Sequence, residues 1–205
     1  FRDKIMGVVQ DQGINKSQLT ILQGLMKLRQ ICDSPAIMKE QDGEKFPNVS
    51  VKLEEIGREI TENISDHKAL VFSQFLGMLA LIRARLEELG VDYEYFDGST
   101  SAPDREKAIQ RFQNEENCRV FLISLKAGGV GLNLTAADYV YIVDPWWNPA
   151  VEQQAIDRTH RIGQTKNVFA YRMICKDTVE DKILKLQEKK RLLAADLITD
   201  DSGFV

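Results

Sequence analysis

Ser124-Leu-Lys-Ala-Gly-Gly-Val-Gly-Leu-Asn-Leu134 is followed by the apolar run Tyr139 to Val143, by Asp144-Pro-Trp-Trp-Asn-Pro149 and by Gln154-Ala-Ile-Asp-Arg-Thr-His-Arg-Ile-Gly-Gln164. A glycine-rich turn, a buried strand with an acid at its end, paired tryptophans between prolines, and two arginines three positions apart all fall in one stretch. Working outward, further short apolar runs alternate with segments of helical length. Lys68-Ala-Leu-Val-Phe72, Tyr93 to Phe96, Val120 to Ile123 and Val168 to Ile174 read as strands, with Tyr139 to Val143 between the last two. Strands that are apolar throughout and separated by helices predict a parallel sheet covered on both faces.

The helices carry their own signals. Leu79, Ile82, Leu86 and Leu89 share one face of a helix that Gly90 ends. Ser101 with Asp104 forms a capping box for a helix to about residue 113. A helix is expected over about 51–64 and another over about 178–196, with Val179, Ile183, Leu186 and Leu193 on one stripe and a loose tail after it. Residues 1–40 read as helix through Ile21, Leu25, Leu28 and Cys32, stopped by Ser34-Pro35, and residues 41–48 as a loop. The expected division is a helical lead-in over 1–50, the α/β lobe over 51–175, and a closing helix with its tail over 176–205.

With 205 residues and 43% hydrophobic content, the chain can bury a full core. It has no apolar run near 18 residues, so no membrane span is expected. It begins with Phe1, which suggests a piece of a longer protein. Cys32, Cys118 and Cys175 are far apart, odd in number and without a CxxC, and are expected to be buried free thiols in a reducing cytosol. With only His67 and His160 available, a zinc site lacks ligands, and no metal is assigned. The net charge of −4 argues against nucleic acid on average, yet ten Lys and Arg residues crowd positions 158–191. A phosphate responds to that local field.

Ligands of parallel sheets gather at the carboxyl ends of the strands. That rule selects Ser73-Gln74, Asp97-Gly98-Ser99, Ser124 and Asp144-Pro145. Ala127 to Gly131 is not a P-loop, because Lys126 precedes the glycines, and a structural turn is the plainer reading. Asp144 reads as an acid that orders the next loop. Pro145 and Pro149 should hold Trp146-Trp147 extended, with one indole packed and one used. Arg158 and Arg161, if helical, make a fork for phosphate oxygens; spacing alone favours a solvated face paired with Asp157 or Glu152.

In this order the stretches resemble the second RecA-like lobe of the Swi/Snf-type ATPases, within superfamily 2 of helicase-like proteins. Lys68-Ala-Leu-Val-Phe-Ser-Gln-Phe75 is similar to that family's motif IV and Phe96-Asp-Gly-Ser-Thr100 to its segment IVa. Ser124 to Leu134 is similar to motif V, Asp144 to Pro149 to its extension, and Gln154 to Gln164 to motif VI. Leu28-Arg-Gln-Ile-Cys32 fits the approach to the lobe. The resemblance implies a RecA-like fold with a brace helix at 178–196, and half of a motor whose ATP and Mg2+ are held mainly by a first lobe. It implies Arg158 and Arg161 as arginine fingers, with Gly129, Gly131 and Gln154 on the nucleotide side. It implies contacts from Ser73, Gln74, Ser99, Thr100, Ser124, Lys126, Gly128 and Trp147 to a duplex DNA backbone, independent of base sequence. It leaves open what such a motor displaces, whether RNA polymerase, another bound protein or a recombination intermediate. A RecA-like module that binds DNA or protein without catalysis is the alternative. Compact loops suggest a bacterial or archaeal member, placed in the cytoplasm at the nucleoid; a eukaryotic one would be nuclear.

Overall fold

The structure, a computed structural model, describes residues 2–38, 46–127, 134–157 and 167–200. In chain order these form α1 (Arg2–Asp33), a 3-10 turn (Pro35–Ile37), and α2 (Val51–Arg58), which runs into a π-helical turn (Glu59–Asn63). Then come β1 (Ala69–Ser73), α3 (Leu76–Glu88), β2 (Tyr93–Phe96), α4 (Ala102–Asn114), β3 (Val120–Ser124), β4 (Tyr139–Ile142), α5 (Pro149–Asp157), β5 (Phe169–Arg172) and α6 (Val179–Asp200). The five strands make one parallel sheet in the order β2-β3-β1-β4-β5. This is the RecA-like α/β architecture expected from the motifs. No described helix is long and apolar enough to cross a membrane.

Local chemistry accounts for the helix ends. Ser50 caps α2 by accepting from the Leu53 amide at 3.0 Å, and Ser101 caps α4 by accepting from the Asp104 amide at 3.3 Å. After α3, Gly90 adopts φ +67°, which lets its amide reach the Glu87 carbonyl at 3.2 Å and that of Val91 reach Leu86 at 2.9 Å. That Schellman ending needs a residue at ease in the left-handed region.

Alternation along the strands divides the core in two. Leu70, Phe72, Phe121, Ile123, Val140 and Ile142 face Phe96, Phe112 of α4, Leu134 and Ala137. Ala69, Val71, Val120, Leu122 and Tyr141 face Ile56 and Ile60 beneath α2, and Met78, Leu79, Ile82 and Leu86 of α3. Truncating a core phenylalanine such as Phe121 to alanine costs roughly 3–5 kcal/mol.

Three expectations are corrected. First, β5 is not covered: all four of its residues are exposed, Phe169 by 47% and Tyr171 by 44%, because it is an edge strand paired with β4 alone. Second, the apolar stripes of α1 and α6 are buried only in part. Leu28 and Leu186 are exposed, whereas Arg29 and Asp33 of α1 and Glu180, Ile183 and Gln187 of α6 are buried. Much of the buried surface of these two helices is therefore polar, which hydropathy cannot register. Third, Cys118 alone of the cysteines is buried; Cys32 and Cys175 are half-buried. Helix α6 also runs to Asp200, past the expected end.

Candidate functional site

Sheet order places the carboxyl ends of β2, β3, β1 and β4 side by side. At about 4.8 Å per strand they make a rim about 15 Å long. The loops there are Asp97 to Thr100, Ser124 to Ala127, Ser73-Gln74 and Asp144 to Trp147, so most of the sequence-selected residues meet on one edge.

Each loop is tied down locally. The Asp97 carboxylate accepts from the amide and hydroxyl of Ser99 at 2.8 and 2.6 Å and from the Tyr95 hydroxyl at 2.7 Å. Those bonds, the Ser99 hydroxyl first, hold its pKa below the usual carboxylate range. Ser99 and Lys126 are exposed, and Gln74 and Thr100 half-exposed. Ser73 and Ser124, the other two expected backbone contacts on this edge, are buried. They pair in register across β1 and β3, and the Ser73 hydroxyl accepts from the Phe75 amide at 3.1 Å. The Ser73 hydroxyl thus helps to shape the turn into α3.

The tryptophan loop is gripped from several sides by groups to which the sequence assigned no such role. From α1, the buried Arg29 donates to the Pro145 carbonyl and to Gln74 Oε1 at 3.0 Å. Its guanidinium lies 5.5, 5.9 and 5.4 Å from the ring centres of Phe75, Trp146 and Trp147. From α5, Glu152 accepts from the Trp146 amide at 2.6 Å, and is held in turn by Arg172 at 2.6 Å. From α6, Gln187 donates to the Trp146 carbonyl. Trp146 packs partly into the core, while Trp147 is 37% exposed. Gln74 Nε2 and Arg29 Nε are buried without a partner among the described residues, leaving spare donor capacity beneath the rim.

Under the same loop lies a charged hub. Lys52 donates to Asp33 Oδ1 at 2.8 Å, Glu180 Oε1 at 2.6 Å and the Val143 carbonyl at 2.7 Å. Asp144 accepts from the Gln74 amide at 3.1 Å and stands 4.0 Å from Arg29. It orders the following loop, as its position after the strand implied. Burial pushes the Asp144 carboxyl up, and pushes Asp33 up further with help from the Asp144 charge. Burial opposes the Lys52 charge, but Asp33 and Glu180 outweigh it and raise its pKa; burial lowers that of Arg29. Three carboxyls around two cations leave an excess of acid.

Gln154, on the exposed side of α5, lines a cavity of about 260 Å³ with Leu125, Lys126, Trp146 and Val151. Arg158, Arg161, Gly128, Gly129 and Gly131 lie outside the described residues.

Residues 51–163 match the family described as the helicase conserved C-terminal domain. The chain belongs to that family. The likeness read from its motifs, to the C-terminal RecA-like lobe of Swi/Snf-type ATP-dependent helicases, is borne out. Among relatives of this helicase C-terminal domain, a Mycoplasma pneumoniae protein named "Uncharacterized ATP-dependent helicase" is 40% identical over 93% of the chain and 18% of its own length. "DNA repair protein rad8" of Schizosaccharomyces pombe is 48% identical over 68% of the chain and 12% of its own. "Helicase-like transcription factor CHR27" of Arabidopsis thaliana is 48% identical over 66% and 13%. A solved structure described as the C-terminal part of the Fun30 ATPase domain superposes with TM-score 0.64 at 38% identity, covering 66% of this chain and 45% of that one. The helicase C-terminal domain thus spans less than a fifth of these curated relatives' length.

Proposed function

We propose that this chain is the C-terminal lobe of an ATP-dependent double-stranded DNA translocase, with a lead-in over 1–50, the lobe proper over 51–175 and a brace over 176–205. The observation that carries the reading is the rim: four loops chosen from sequence stand on adjacent strand ends, with Gln74, Ser99, Thr100, Lys126 and Trp147 reaching solvent. Amide, hydroxyl and ammonium groups there suit phosphate oxygens rather than base edges, so binding is independent of base sequence and weakens with salt.

ATP and Mg2+ belong to a cleft shared with a first lobe. The 260 Å³ hollow at Gln154 and Lys126 is smaller than a ligand pocket of about 300–1,000 Å³, and suits one wall of such a cleft. Bound ATP supplies the phosphoryl group and the energy of its transfer. On the protein side, Gln154, Gly129 and Gly131 would line the nucleotide, and Arg158 and Arg161 would place positive charge against the transferring phosphoryl group. An arginine finger is worth about 10³–10⁵ in rate.

In the full protein that carries this chain, Arg161→Ala should lower DNA-stimulated ATP hydrolysis at least about a thousandfold, with duplex binding kept within a few-fold. Lost binding would make Arg161 a DNA contact instead. Retained hydrolysis would remove the arginine-finger role.

A further inference from the structure

Cys32 sits in the last turn of α1, and Cys175 lies between β5 and α6, 143 positions away. The structure brings them together: the Cys175 thiol donates to the Cys32 carbonyl oxygen at 3.2 Å. The residues flanking them are already joined, since Lys52 bridges Asp33, next to Cys32, to Glu180, whose other oxygen accepts from the Cys175 amide at 2.9 Å. Neither cysteine is sealed away. Both are half-buried, and Cys175 lines a cavity of about 480 Å³ with Val51, Lys52, Tyr171 and Met173. A small polar oxidant has room to reach the Cys175 side of the pair, and Cys32 is itself only half-buried.

We propose that Cys32 and Cys175 form a paired-thiol modification site that a hydroperoxide converts into an intramolecular disulfide.

The environment assigns different roles to the two sulfurs. Interaction with the Cys175 side chain draws the Cys32 thiol pKa down against its burial, aided by the Thr178 hydroxyl and the Lys52 ammonium. The same contact and burial push Cys175 up. With its proton held by the Cys32 carbonyl, Cys175 is the resolving thiol, and Cys32 is the attacking thiolate. Cys32 sulfur attacks one peroxide oxygen and the O–O bond breaks. The departing hydroxide takes a proton to become water, leaving Cys32 as a sulfenic acid. Cys175 sulfur then attacks Cys32 sulfur; the S–O bond breaks, and hydroxide leaves as a second water with the proton of the Cys175 thiol. Two thiols are oxidised and one peroxide reduced. The product pins the end of α1 to the start of α6 with a bond that a thiol reductant reverses. Cys118 is an internal control, buried and with its thiol pushed up to about 11 by desolvation.

The test uses the full protein that carries this chain. It is reduced, exposed to hydrogen peroxide, alkylated, digested without reductant, and its peptides are weighed. The expected product is a Cys32–Cys175 linked peptide lighter by two hydrogens, lost on adding dithiothreitol. Cys118 should react at least about a hundredfold more slowly. Cys32→Ser and Cys175→Ser should each abolish the link. Separate oxidation of the two cysteines, a link only between chains, no link even with diamide, or Cys118 reacting as fast as the pair would each overturn the proposal. Because the wild-type digest decides the matter, a serine variant that folds poorly does not shield it.

Discussion

At the amino ends of the strands, Arg111 pairs with Asp92, with Glu94 at 2.7 Å and with Glu115 at 3.0 Å, and every member of that fan keeps contact with water. At the carboxyl ends, Arg29, Lys52, Asp33, Asp144 and Glu180 are cut off from it. The same ion-pair chemistry therefore has opposite consequences at the two ends of one sheet. A solvated pair contributes about 1 kcal/mol or less, because water competes with it. A desolvated cluster must be complete, because each charge depends on its partners. The end that carries the rim is thus also the end most easily damaged.

The largest expected effect comes from breaking the buried cluster. Lys52→Met keeps the shape but leaves Asp33 and Glu180 without their cation, and should cost about 3–5 kcal/mol in a denaturant melt. Arg111→Ala at the other end should cost at most about 1 kcal/mol. Equal losses would erase the contrast.

A subtler effect concerns pH. Asp33 and Asp144 bind their protons more tightly folded than unfolded, because burial penalises the carboxylate. With folded values above the unfolded value of about 3.9, their contribution to stability is fully present below that pH and is lost as pH rises through the folded values. Lys52 acts in the same sense, since its raised pKa gives stability below about 10.4 that is lost as pH climbs through the folded value. Melts at pH 5 and 7 should therefore show wild type losing less stability on acidification than Asp144→Asn. A pH dependence untouched by that substitution would show that Asp144 does not titrate with folding.

Much of this architecture was legible in advance, for reasons visible at particular residues. Ala69 to Phe72 and Val120 to Ile123 are buried on both faces, so their unbroken apolar runs announce them. Ser101 and Gly90 mark helix ends because few other residues meet those backbone demands. What could not be read was the docking of α1 and α6. Hydropathy assigns Arg29, Asp33, Glu180 and Gln187 to the surface, and only the fold supplies their partners, as far away as Arg29 is from Pro145. The tryptophan loop shows the same divide. Its prolines predicted one packed and one exposed ring, but nothing local pointed to Glu152 and Gln187 as the groups that hold it. The position of Arg29 inside Leu28-Arg-Gln-Ile-Cys32 was the one available hint.

The claim that matters most is that the carboxyl-end rim is a track for a DNA backbone. Its most direct test is duplex DNA affinity, measured across salt concentrations, for the full protein carrying Gln74, Ser99, Lys126 and Trp147 replaced together by alanine. The account predicts affinity at least about tenfold weaker, with a salt slope shallower by about one for the lost Lys126 contact, while Arg111→Ala binds within about twofold of wild type. Wild-type affinity and slope in the rim variant, or an equal loss in Arg111→Ala, would contradict it.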